Sequence, residues 1–329
     1  MSEAAIVRTV LGDVAPADLG SFNYHEHLFQ RSHLLPGDEL DDAVKSGHEA
    51  KLLFDAGTEA MIEATPTGLG RNPRAVARIS QAIGLKVVHT TGAHHGGHYA
   101  HDDPFLDFSA ERMAHRFTAD VLDGFEPEDA TCENTAPEHA PFQPDGEERT
   151  IRAGLVKAGI RYWAIGPFET RALLAAATTH RESGAPVMVH LDYGSAAHEV
   201  LDLLASDGVP ASRVVLAHID RNLDPGLHMS LVERGAYLGF DGFARHRESP
   251  DSAILQCLKD VVESGGQNSI LLGGDVARSS RYRSYGGIPG LDYLARRVLP
   301  RLKDIISADA YEATTRQNGA RFLSFTPPR

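Results

Sequence analysis

Two histidines two residues apart, His25 and His27, follow the short apolar run Gly-Ser-Phe-Asn-Tyr at 20–24. In extended backbone, residues i and i+2 share a side, so the two imidazoles face one way and Glu26 the other. Two converging imidazoles make half a site for a divalent ion. Taken alone, such a pair is as often simply hydrogen-bonded. Three more metal-capable side chains stand in comparable places: His190 closes PVMVHL, His218 lies at the end of RVVLAHID, and Asp275 follows ILLGG. Lys157, one of six lysines, sits among small and apolar residues in AGLVKAG. A bare ammonium there is costly, which leaves three outcomes: pairing with a carboxylate, loss of the proton, or covalent modification of the neutral amine.

The elements that would position these residues alternate along the chain. Strands are expected at 20–24, 58–64, 85–91, 153–158, 186–191, 213–219, 236–241 and 269–274, each a near-continuous apolar run of the kind found in parallel sheets covered on both faces. Helical periodicity fills the intervals, as at 196–207, 253–264 and 307–324. Residues 4–19 read as a short hairpin before the first strand. Eight strand–helix repeats give the count of a (β/α)8 TIM barrel, an α/β fold whose active sites gather at the C-terminal rim of the strands. An open doubly wound sheet has the same alternation, but no GxGxxG or Walker motif opens a helix here. Six polar residues from five strand ends would then meet at one rim.

The bulk numbers agree with one large barrel domain spanning 1–329, interrupted by an acidic, proline-rich excursion at 125–149. A formal charge of −13 argues against nucleic acid and anionic membrane as partners. No apolar stretch approaches the roughly 18–20 residues of a spanning helix, and no secretory pattern opens the chain. A cytoplasmic location is the expectation. Cys132 and Cys257 are too few and too far apart for a disulfide framework.

The order HxH, Lys, His, His, Asp resembles the phosphotriesterase family of the amidohydrolase superfamily. So do the segments around it: LGDVAPADLGSFNYHEHL, RAGLVKAG, LGGDVARSS, and NGARFL, where Gly319 stands in place of the usual proline. The resemblance covers nearly the whole chain. It implies that His25, His27 and Asp275 bind a buried ion and that His190 and His218 bind a more exposed one. A carbamate on Lys157 and a hydroxide would bridge the two. Asp275 would take the hydroxide's proton and pass it towards the leaving group. Zinc is the first choice for imidazole and oxygen ligands, with manganese, cobalt or iron as alternatives. A homodimer is also implied.

Substrate choice must come from the rim. Arg31 follows the first strand, Arg245 and Arg247 the seventh, and Arg278 and Arg281 the eighth. Guanidiniums clustered on an acidic protein suit a phosphate or carboxylate on the substrate, unless they merely pair with surface acids. VARSSRYRSYGGIPGLDYL is similar to family members that open sugar-lactone phosphates, with Arg281 where a tyrosine is expected. Val276 stands where the organophosphate hydrolases of the family carry an aromatic. The expected activity is therefore opening of an anionic, possibly phosphorylated, sugar lactone. A phosphotriesterase or carboxylesterase is the alternative, and a non-catalytic ligand-binding barrel the most remote reading. After the third strand, HHGGHYAH (94–101) supplies His98 and Tyr99 as further substrate contacts. The same segment reads either as a glycine-rich rim loop or as an additional metal site.

Overall fold

The computed structural model describes residues 4–126, 150–245 and 247–328. The expected excursion at 125–149 falls, from residue 127 onward, outside the described residues.

Ten strands are present among the described residues. β1 (Val7–Thr9) and β2 (Gly12–Val14) form the antiparallel hairpin that precedes the barrel. The parallel sheet then runs β3 (Phe22–Glu26), β4 (Ala60–Glu63), β5 (Lys86–Gly92), β6 (Leu155–Ile160), β7 (Val187–Leu191), β8 (Val214–Ala217), β9 (Tyr237–Phe240) and β10 (Ile270–Leu272) in sequential order. The N–H groups of Gly274 and Asp275 donate to His25 O at 3.3 and 2.9 Å, which draws the last strand back onto the first. The result is a nearly closed (β/α)8 barrel. Seven helices are the main outer crossovers: α1 (Ala43–Asp55), α2 (Pro73–Ile83), α3 (Ala110–Leu122), α4 (Pro167–Ser183), α5 (Ala197–Ser206), α6 (Pro225–Glu233) and α7 (Asp251–Glu263). Their ends carry local instructions. Asn72 accepts from Ala75 N ahead of Pro73, and Gly84 closes α2 at φ 81°. The C-terminal helical stretch expected over 307–324 is present from 308 to 323, with a π-helical segment in its middle (Ala313–Gln317).

Two layers of core follow from strand period. Outward residues such as Val156, Val189, Leu216 and Leu238 pack against the helices. Tyr24, Ile62, Val88, Leu155, Met188, Val215 and Leu271 cluster apart from them and fill the barrel. A step of two residues along a strand keeps a side chain on the inside. Leu155 therefore hands on to Lys157, Met188 to His190, Gly239 to Asp241, and Leu271 by way of Gly273 to Asp275. β3 breaks the alternation. Its register against β4 shifts between Asn23 and Glu26, and such an irregularity re-aims the chain so that Tyr24 fills the barrel while His25 also faces inward.

Two glycines are required by close approach. A Cβ on Gly92 would lie 2.0 Å from Lys157 O, so β5 and β6 can pair there only without a side chain. A Cβ on Gly319 would lie 2.2 Å from the Phe22 ring, which accounts for the absence of the proline expected in NGARFL.

Candidate metal centre

His25, His27 and Asp275 are buried, at 1%, 5% and 6% exposure, and converge at the strand C-termini. Asp275 Oδ1 lies 3.7 Å from Nε2 of both histidines. A tetrahedral ion with bonds of about 2.0–2.1 Å separates its ligand atoms by roughly 3.4 Å, so the three atoms frame such an ion after a shift of a few tenths of an ångström. His25 Nε2 is fully enclosed yet has no hydrogen-bond partner among the described residues. Such an atom is expensive unless something absent from a protein-only structure satisfies it, and a cation does so. The residues present therefore fit a divalent metal.

The hydrogen bonds on the other ring nitrogens set which atom is available. Asp241 accepts from His25 Nδ1 at 3.0 Å through Oδ2 and from His218 Nδ1 at 2.6 Å through Oδ1. Thr65 spends its single hydroxyl proton on Phe29 O at 2.6 Å, so it must accept from His27 Nδ1, also at 2.6 Å. A neutral imidazole that donates through Nδ1 keeps a lone pair on Nε2. His190 is arranged the other way round: Nε2 donates to Asp192 Oδ1 at 2.9 Å, leaving Nδ1 with the lone pair. Burial, with Lys157 next in weight, holds the His27 pKa well below its ordinary value. Burial and then His218 do the same to His190. Burial and Arg221 lower His218 to about 4 despite Asp241. All three stay neutral, as ligands must.

Lys157, on β6 and 1% exposed, donates from Nζ to Ala64 O at 2.9 Å. Burial pushes its pKa down to about 8, against the pull of Asp275, Asp241 and Glu63. His190 and His218 meet edge to face, with ring centroids 4.5 Å apart. Two residues of the centre have left-handed backbone, His218 at φ 63° and Asp275 at φ 44°. Side chains rarely tolerate that conformation, and it persists where the surroundings over-determine it.

A cavity of about 550 Å³ opens above the centre. Arg245, Arg278 and His98 line it. Arg245 is turned onto Asp275, its Nη2 donating to the carbonyl at 2.6 Å and also to Oδ2. Arg278 is half exposed and 3.9 Å from Asp38. The remaining rim residues lie elsewhere. Arg31 is an exposed partner of Asp41 at 3.0 Å, and Arg247 is exposed away from the cavity lining. Arg281 lies behind the wall, donating to Asp275 O at 3.2 Å and Phe243 O at 3.3 Å, and burial lowers its pKa to about 10. Tyr99 is buried under the wall, its hydroxyl donating to Thr67 O at 3.0 Å. A long side chain placed just after a strand goes where its nearest acceptor is.

Several residues of the centre and of the cavity lining were given no role of their own by the sequence. Asp241 closes the expected strand 236–241, so its rim position was available as a signal. Arg221 follows His218 and reaches Asp275 Oδ2 at 3.2 Å. Arg161, Asp192, His94 and His95 also line the cavity. His94, His95 and His98 have nitrogen atoms within 4.8 Å of one another. However, His94 Nδ1 accepts from His95 N at 2.8 Å, and His95 Nδ1 accepts from Gly97 N at 3.2 Å. A neutral ring that accepts at Nδ1 carries its proton on Nε2, so these two rings are donors rather than ligands.

Comparison with known proteins places this geometry. The model of the phosphotriesterase family matches residues 5–133 and 144–323. A phospho-furanose lactonase of Mycoplasmopsis synoviae is 29% identical, covering 99% of this chain and 94% of its own. An N-acetyltaurine hydrolase of Danio rerio is 27% identical, over 97% and 98% respectively. Among solved structures, a lactonase from Listeria monocytogenes superposes with a TM-score of 0.85 at 28% identity, covering 98% of this chain and 99% of that one.

Proposed function

The chain belongs to the phosphotriesterase family of hydrolases, and from that premise we propose that it opens a lactone bearing an anionic group. Two divalent ions, zinc first among them, would be held by His25, His27 and Asp275 on one side and by His190 and His218 on the other, with Lys157 between. Bound there, they supply a water activated near neutral pH and a Lewis acid for the carbonyl oxygen. The observation that carries the reading is the convergence of correctly protonated histidines around Asp275, with an unpartnered His25 Nε2, beneath a cavity lined by guanidiniums.

Each residue has a definable task. Asp241, Thr65 and Asp192 hold the rings in orientation and in the ligand tautomer. Lys157, whose amine loses its proton near pH 8, can add CO2 at Nζ and release a proton, becoming an anionic oxygen donor. Asp275 faces the histidines with Oδ1 and the arginines with Oδ2. With Oδ1 towards the metal ligands, Oδ2 would receive a proton from the attacking water and return it to the departing alkoxide once Arg245 and Arg221, which hold it as a carboxylate, give way. A homodimer, checked by light scattering, completes the reading.

A pH-indicator screen tests the substrate class. It compares a pentono-1,4-lactone with its 5-phosphate, a neutral aliphatic lactone, an aryl ester, an N-acetylated amine and a neutral phosphotriester. Preference for the phosphorylated lactone is expected; preference for the neutral triester overturns the assignment. A neutral triester offers the guanidiniums no anionic group to pair with, which is why that alternative ranks second.

A further inference from the structure

Of the guanidiniums lining the cavity, Arg221 and Arg245 are occupied by Asp275, and Arg278 stands 3.9 Å from Asp38. Arg161, on the opposite side after β6, has no side-chain hydrogen bond and no ion pair with any described residue. Its backbone is nonetheless fixed. Arg161 and Ala164 exchange N–H···O bonds of 3.3 and 3.1 Å around Trp163, which has left-handed backbone at φ 52°. Trp163 N donates to Ser195 Oγ at 2.9 Å, and that hydroxyl donates to Asp192 O at 2.7 Å. The turn is thereby tied to the same Asp192 that orients His190.

Beside it lies the histidine-rich segment after β5. A Cβ on Gly97 would sit 3.1 Å from Arg161 Nη2 and 3.2 Å from the His95 ring, so the glycine is what lets guanidinium and imidazole share this corner. His94 and His95 are held in the Nε2–H form by backbone donors at their Nδ1 atoms. The corner thus gathers an unpaired cation and two imidazole N–H donors, while the tautomers make it unsuited to a metal.

We propose that Arg161, with His94 and His95, forms the subsite that binds the substrate's anionic oxygen group, a phosphate or a carboxylate. A guanidinium matches two oxygens of either group, and neutral imidazole donors add hydrogen bonds without adding charge. Arg245 and Arg221 serve Asp275 instead. The assignment deepens the lactonase reading for the reacting end of the substrate, but binding of the anion can be tested apart from turnover.

The test compares wild type with Arg161→Gln, Arg161→Lys and Arg278→Gln. Kinetics are measured on a pentono-1,4-lactone, its 5-phosphate and a lactone bearing a carboxylate. Binding of the corresponding sugar-acid 5-phosphate and of inorganic phosphate to the metal-loaded proteins is followed by calorimetry. Arg161→Gln is expected to raise KM for the anionic lactones by about 10- to 100-fold, the loss of a charged hydrogen-bonded contact, with kcat and the neutral lactone little changed. Calorimetry should show the same loss for the sugar-acid phosphate, and Arg161→Lys should restore part of it. The phosphate and carboxylate arms identify which anion is preferred. Equal losses on neutral and anionic lactones, or full anion selectivity in Arg161→Gln with its loss in Arg278→Gln, would overturn the proposal. If wild type opens none of the lactones, the lactonase reading fails, and the calorimetric arm alone still decides for or against the anion subsite.

Discussion

His25, His27 and His218 on the floor of the cavity differ from His94 and His95 at its rim in which ring nitrogen carries the proton. The floor rings donate through Nδ1 to side-chain acceptors and keep a lone pair on Nε2. The rim rings accept at Nδ1 from backbone N–H groups and so keep a proton on Nε2. Proximity is similar in both places: His94 and His95 have ring centroids 4.6 Å apart, and His25 and His218 5.0 Å. Histidine clusters are thus poor guides to metal sites until the partner of the second nitrogen is known. The floor is suited to holding cations, and the rim to donating hydrogen bonds to a substrate.

Removing a floor ligand should have the largest effect. Asp275→Ala takes away the carboxylate oxygen that faces Nε2 of both His25 and His27, and kcat/KM should fall by about 10³ or more, measured beside metal content. A variant retaining near wild-type rate would dissolve the distinction between floor and rim. Lys157→Met comes next and cuts both ways. The unfolded lysine titrates near 10.5 and the folded one near 8, so between these values the unfolded chain holds the extra proton. Stability of the metal-free protein therefore falls as pH drops from about 10.5 to 8 and is level below that. Lys157→Met should abolish this slope and gain up to about 3 kcal/mol at pH 7, read by denaturant unfolding, while activity collapses. Asp241→Ala leaves His25 and His218 without their acceptor and should weaken metal affinity about 10- to 100-fold, measured by chelator competition. His95→Ala should do the least to the floor. Metal content should be unchanged, with KM for an anionic lactone raised by about tenfold. Loss of metal in that variant would place His95 among the ligands and erase the contrast.

The floor was largely legible in the sequence because strand period fixes side-chain direction. Lys157, His190 and Asp275 each follow an inward residue by two, and a polar side chain at such a position stands out. The reason His25 and Tyr24 can both face inward was not legible, since a register shift against β4 leaves no mark in composition. Asp241 was overlooked although it ended an expected strand, because a lone aspartate there does not reveal that it serves two histidines. The rim was read least well. Arg31, Arg278 and Arg281 have similar sequence positions, yet one faces Asp41, one the cavity and one two backbone carbonyls. Arg161 depends on a turn closed by a left-handed Trp163, which no periodic pattern announces.

The central claim is that the floor holds two divalent ions. Elemental analysis of the protein purified from zinc-, manganese- or cobalt-supplemented culture tests it directly. About two ions per chain, falling in Asp275→Ala, is the predicted result; one ion or none in the wild-type protein would contradict it.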